Sequence, residues 1–188
     1  MKTNFLGRIL MAAALFAAAA GASNRPAPNT PRTDEDLAKA VRHEVLMYSR
    51  YTLWDDVSFR VDNGNVELLG AVNQPYKKDD LGRLVQHIPG VASVTNELKV
   101  LPLSPADDRL RLQVARAIYR DSVLSRYAMG AVPAIHIIVD NGRVTLTGSV
   151  NSEMDKQIAG MRASGAGLSF GAIQNNLSVE NPPAKKKA

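Results

Sequence analysis

Val61-Asp62-Asn63-Gly64-Asn65-Val66-Glu67-Leu68-Leu69-Gly70-Ala71-Val72-Asn73 returns 78 residues further along the chain as Val139-Asp140-Asn141-Gly142-Arg143-Val144-Thr145-Leu146-Thr147-Gly148-Ser149-Val150-Asn151. The match resumes downstream with one residue added: Val94, Asn96, Leu98 and Val100 are answered by Ile173, Asn175, Leu177 and Val179. Self-similarity in register over such a length marks a duplicated structural unit.

Each copy can be read from that stretch outward. Val57, Phe59 and Val61 alternate with Ser58 and Arg60, the period of a half-buried strand. Asn63-Gly64 supplies two residues that tolerate positive φ, the strongest short-range signal for a hairpin. On the return strand Val66, Leu68 and Val72 share a face, as do Val144, Leu146 and Val150 in the second copy. Gly70 and Gly148 fall on that inward face, where a missing side chain would let a helix approach the sheet. Asn73 and Asn151 are placed to cap helices. The following stripes are Leu81, Leu84, Val85 and Ile88, ended by Pro89-Gly90, and Met154, Ile158 and Met161, ended by Gly165 and Gly167. A last strand runs from Val94 to Val100 and from Ile173 to Val179.

A helix also precedes each hairpin. Leu37, Val41, Val45 and Tyr48 form its apolar stripe in the first copy, with Thr33 as cap. Leu110, Val114, Ala117 and Ile118 form it in the second, with Ser104 as cap, Pro105 at the first helical position and Asp107 favourable to the helix dipole. The expected class is therefore α+β: two tandem αββαβ modules, residues 33–101 and 104–180, each a three-stranded sheet with two helices on one face. Modules of about seventy residues lie near the lower size limit for folding without staples. Leu101-Pro102-Leu103 is a stiff connector, so the modules should touch and hide part of each other's surface.

The ends of the chain read differently. Residues 1–22 resemble a cleavable secretory signal: Lys2 and Arg8 without acidic residues, an apolar run from Ile9 to Ala20, then Ala20-Gly21-Ala22. The run is about twelve residues, mostly alanine, too short to span a bilayer. Residues 23–32, with three prolines, read as a flexible lead-in, and 181–188 as a disordered basic tail. The chain has no cysteine, which excludes disulfides, thiolate metal sites, cysteine nucleophiles and a lipoprotein anchor after the signal. Without Lys2 and Arg8, 21 basic residues face 18 acidic ones, a mild excess that suits anionic headgroups better than nucleic acid.

The order α-β-β-α-β, the Val-x-Asn-Gly-x-Val-x-Leu-x-Gly-x-Val core and the closing Val-x-Asn-x-Leu-x-Val together resemble the BON domain (bacterial OsmY and nodulation). The second copy departs from the pattern at Ser169-Phe170, where the first has Gly90-Val91. Two such domains behind a signal peptide resemble the periplasmic OsmY-type proteins. The resemblance implies a non-enzymatic envelope protein tied to osmotic or envelope stress, which associates with phospholipid or with unfolded client proteins. It carries over no catalytic residue.

The residues themselves offer little chemistry. His43, His87 and His136 sit at unmatched repeat positions with no metal-ligand spacing. Asp55-Asp56, Asp79-Asp80 and Asp107-Asp108 read as structural pairs at helix starts or before a strand. Asn96 and Asn175 read as buried hydrogen-bonding groups. No cofactor and no metal are expected. One feature stands out on the helix that opens the second copy. Leu112, Ala115 and Tyr119 gather in a sector apart from the core stripe, with Arg109, Arg116 and Arg120 beside it. Arg109, Leu112, Arg116, Tyr119 and Arg120 are thus the candidate lipid- or partner-binding residues, suited to peripheral contact with an anionic membrane. The alternative is that Leu112 and Tyr119 pack against the first copy. Tyr48, Tyr51 and Trp54 near the end of the first helix are further interfacial candidates, at least one of them core. A chaperone or scaffold for exported proteins, pairing with strand edges, is the alternative function.

Overall fold

A computed structural model describes residues 33–130, 132–167 and 172–180. The proposed signal, the lead-in, the basic tail and Ser169-Phe170 lie outside the described residues. The first copy runs α1 (Asp34–Met47), β1 (Asp56–Asp62), β2 (Asn65–Val72), α2 (Pro75–Gln86), β3 (Ser93–Asn96) and β4 (Lys99–Val100). The second runs α3 (Pro105–Tyr119), a 3-10 turn (Leu124–Ala128), β5 (Ile135–Asp140), β6 (Arg143–Val150), α4 (Glu153–Ser164), β7 (Gln174–Asn175) and β8 (Ser178–Val179). The α+β class and its duplication stand.

Both Asn-Gly pairs make tight hairpin turns with positive φ at each residue, 50° and 78° at Asn63-Gly64, 51° and 76° at Asn141-Gly142. β1 pairs antiparallel with β2, and β5 with β6, in matching registers: Phe59 faces Leu68 as Ile137 faces Leu146. The closing strand of each copy then pairs parallel with the central one, so β2 and β6 lie in the middle. It is broken into two short pieces, β3 with β4 and β7 with β8, because Asn96 and Asn175 interrupt it without shifting register. The Asn96 side chain accepts from the Leu98 amide and donates to the Lys78 carbonyl of α2, and Asn175 does the same with Leu177 and Lys156. A Cβ on Gly82 or Gly160 would meet those amide nitrogens at 2.8 and 2.9 Å, so each helix carries a glycine where the asparagine arrives.

Two cores result. Leu37, Val41 and Val45 of α1 and Leu81 and Val85 of α2 close over Val66, Leu68, Val72 and Leu98; Leu110, Val114 and Ile118 of α3 do the same over Ile135, Ile137, Val139, Val144, Leu146 and Val150. Three local expectations are corrected. Gln74 and Ser152, not Asn73 and Asn151, are the N-caps of α2 and α4. Pro75 starts α2 without a side-chain cap, and the Ser152 hydroxyl accepts from the Asp155 amide. The buried side of α4 is Asp155, Ala159 and Ala163, while Met154 and Met161 point outward at 64% and 65% exposure. Gly70 and Gly148 have φ of 111° and 102°, and their missing Cβ would strike the Asp56 and Ala134 carbonyl oxygens at 2.1 Å. They let neighbouring strands bend together, not a helix approach.

Residues 33–180 belong to one compact unit, and the copies do meet. Leu101 of the connector is buried with Ala71 and Ile138, a β5 side chain on the face opposite the core. Leu53 and Trp54 pack against the second core, Tyr51 stands 5.5 Å from the His136 ring, and Lys99 pairs with Asp140.

Candidate binding surface

α3 forms because Ser104 caps it, its hydroxyl accepting from the Asp107 amide, and Pro105 takes a position whose amide has no helical partner. Burying Leu110, Val114 and Ile118 leaves Arg109, Arg116 and Arg120 in line along the outer face, all exposed. Leu112, 47% exposed, flanks this line. Among the described residues none of the three arginines is in ion-pair range of a carboxylate. The ridge is not part of the repeat: the matching positions of α1 are Asp36, His43 and Met47.

Beside the ridge, α3 and α4 leave an open groove of about 660 Å³, lined by Arg116, Ala117, Arg120, Asp121, Met161 and Arg162. Asp121 accepts from the Val123 and Leu124 amides and from Arg162 Nε at 2.7 Å. Those backbone bonds, with the guanidinium behind them, hold its carboxyl below the ordinary range. Asp121 thus neutralises Arg162 and leaves Arg116 and Arg120 as the groove's free charge, next to the exposed Met161 thioether. Two guanidinium forks beside an apolar lip suit an amphipathic anion: donors for a phosphate or carboxylate, and a non-polar shelf for what it carries.

The candidate residues do not form one patch. Arg109, Arg116 and Arg120 share the exposed ridge. Tyr119 is drawn inward, packed against the second core with its hydroxyl donating to the Ile135 carbonyl, and burial pushes its phenol up. Leu112 keeps an exposed side but borders a small cleft with Trp54, Asn73 and Arg111, at the junction with the first copy. Met161 and Arg162 were missed because the Met154-Ile158-Met161 spacing imitates a core stripe. The competing signal was the small-residue pair Ala159 and Ala163, with Gly160 between them.

The other singled-out residues have structural places. His43 is exposed on α1, His87 caps α2 with Nδ1 2.6 Å from the Arg83 carbonyl, and His136 is half-buried at the junction, where burial pushes its pKa down. Tyr48 donates to Asp80 at 2.7 Å, tying α1 to α2, so the aromatic residues serve the interior or the junction. Asp55 is fully buried and accepts from Lys77 Nζ at 2.6 Å, from Thr52 and from the Asn73 amide. At the same place in the second copy the charge is reversed: Asp155 stands for Lys77, accepting from the Tyr127 hydroxyl and Arg126, while that hydroxyl accepts from the Asn151 amide.

The BON domain family matches this chain twice, over residues 33–102 and 106–181. No curated protein matches it. Two solved structures are similar to it, both of CdsD, a structural protein of the type III secretion system of Chlamydia trachomatis. One, of its C-terminal domain, is 15% identical, spanning 79% of this chain and 67% of that one with a TM-score of 0.31; the other is 18% identical, spanning 79% and 94% with a TM-score of 0.28.

Proposed function

Because the chain belongs to the BON domain family, whose domains are non-catalytic binding modules associated with phospholipid and with stress, we propose that it is a periplasmic protein whose α3 ridge attaches weakly and reversibly to anionic phospholipid during osmotic or envelope stress. The carrying observation is that Arg109, Arg116 and Arg120 stand exposed and without carboxylate partners beside Leu112 and the Met161 lip. Each basic residue near an anionic surface contributes about 1 kcal/mol. Attachment by this ridge is peripheral, and no helix among the described residues is long and apolar enough to cross a membrane. Tyr119 contributes by bracing α3 against β5, not by entering lipid.

Co-sedimentation with vesicles of phosphatidylcholine and increasing phosphatidylglycerol tests the reading. Binding should rise with the anionic fraction and weaken as salt shortens the reach of the charges. Arg116→Ser with Arg120→Ser should lower affinity about 30-fold, the loss of two such charges. Binding indifferent to phosphatidylglycerol, or unchanged in the double variant, overturns it. The alternative, a chaperone or scaffold for exported polypeptides, draws support from the outward Phe59 amide of β1, which no described residue bonds.

A further inference from the structure

The outer strands of the two sheets, β1 and β5, are equivalent by register but unequal in cover. β5 is closed from within the molecule at two points. The Tyr119 hydroxyl donates to the Ile135 carbonyl, and the Ile137 amide donates to the Leu53 carbonyl at 2.8 Å. That carbonyl sits on the Thr52–Asp55 turn, whose Leu53 and Trp54 side chains pack against the core beside the strand. The chain thus displays on itself what this kind of edge accepts: one backbone carbonyl and a bulky apolar pair.

Among the described residues neither of these two covers exists in the first copy; the Tyr51 hydroxyl lies against the Val57 backbone and leaves the next outward amide, that of Phe59, open. Leu46 stands where Tyr119 stands in the second, and it is 51% exposed with no hydroxyl to offer. Phe59 is the counterpart of Ile137, and since it faces Leu68 as Ile137 faces Leu146, its amide also points away from the sheet. Among the described residues nothing bonds to that amide across the edge. Beside it runs a groove of about 240 Å³ lined by Arg42, Leu46, Tyr51, Val57 and Phe59. An uncovered donor beside an apolar groove is the usual seat for a segment of another chain.

We infer that the β1 edge around Phe59 docks a segment of another polypeptide bearing an apolar–aromatic pair of the Leu-Trp kind, its carbonyl taking the Phe59 amide and its side chains entering the groove beside Leu46. Arg42 on the rim favours an acidic residue next to that pair, as Asp55 follows Leu53-Trp54 in this chain. A second copy is the poorer occupant, since the single tryptophan of the chain is already engaged against its own second core. The inference gives the polypeptide-binding alternative a site and does not depend on the lipid reading.

The probe is a labelled peptide with the sequence of residues 50–56, titrated without lipid into the isotopically labelled full chain up to millimolar concentration. A control peptide carries serine in place of Leu53 and Trp54. The active peptide should shift the amide resonances of Phe59 and Leu46 and leave Ile137 unmoved, and the control should do neither. Leu46→Asp, a change at an exposed site, should weaken binding at least tenfold with thermal unfolding unchanged, and Arg42→Glu less. Vesicle binding by Leu46→Asp should equal that of the parent, which separates a failure here from a failure of the lipid reading. No binding, shifts confined to Ile137 through displacement of the internal segment, or concentration-dependent dimerisation perturbing the same amides without peptide would each overturn it.

Discussion

Asp107 stands in the first turn of α3, where negative charge favours the helix dipole, yet its carboxylate reaches into the hairpin and accepts from the Asn141 and Gly142 amides, both at 2.9 Å. Asp34 does the same for Asn63 and Gly64. The hairpin turn was legible from Asn-Gly alone, whereas its anchor was not, since nothing local links a helix start to a turn some thirty residues on. Asp107→Ala should cost about 2 kcal/mol in urea unfolding, because the buried Gly142 amide loses its acceptor. Asp34→Ala, at the more open turn, should cost less. Lys77→Met should cost about 3–5 kcal/mol, since it strands the Asp55 carboxylate in the interior. A loss below ~1 kcal/mol would mean that Thr52 and the Asn73 amide satisfy that carboxylate unaided.

α4 shows how far helical spacing carries a reading. Met154, Ile158 and Met161 repeat as a core stripe should, but of the three only Ile158 packs against the core, and the buried side is Asp155, Ala159 and Ala163. Two contacts outside the helix decide this: Tyr127 and Arg126 hold Asp155, and the Asn175 side chain needs Gly160 beneath it. Met161→Lys should therefore stay within ~0.5 kcal/mol of the parent in thermal unfolding, as surface changes do. Ala159→Leu should cost about 1–3 kcal/mol by overfilling the second core. The reverse ranking would restore the methionine stripe.

At the level of the whole molecule the junction joins the copies through groups that titrate. Burial lowers the His136 pKa below its ordinary 6.5. The unfolded chain then holds more protons just below that pH, so stability should fall as pH drops through 6.5 toward the folded-state value, and level off beneath it. Asp56 faces His136 with the opposite sign: burial raises its pKa above 3.8, so protonating it favours the fold at lower pH. His136→Gln should flatten the loss below pH 6.5 in urea titrations at successive pH values; an unchanged slope would place the titrating group elsewhere. Trp54→Ala should cost about 2 kcal/mol, roughly half the figure for a fully buried tryptophan, and should lower the melting of the second core although Trp54 belongs to the first copy.

The duplication, the α+β class, the two hairpins, the caps Thr33 and Ser104, the core stripes of α1 and α3 and the roles of Asn96 and Asn175 were written in the chain, because each rests on spacing or on backbone preferences that span a few residues; the exception within α3 is Ala117, which lines the groove while Ala115, expected in the outer sector, packs against the core. The arginine ridge was legible for the same reason: once a helix buries Leu110, Val114 and Ile118, its opposite face is determined. Tertiary structure alone decided that Tyr119 leaves that ridge for the Ile135 carbonyl, that Met161 and Arg162 join it across a groove, and that the Leu53 carbonyl takes the Ile137 amide while among the described residues nothing takes that of Phe59. These outcomes depend on which surfaces meet, and near-identical local sequences meet different neighbours at the two ends of one chain.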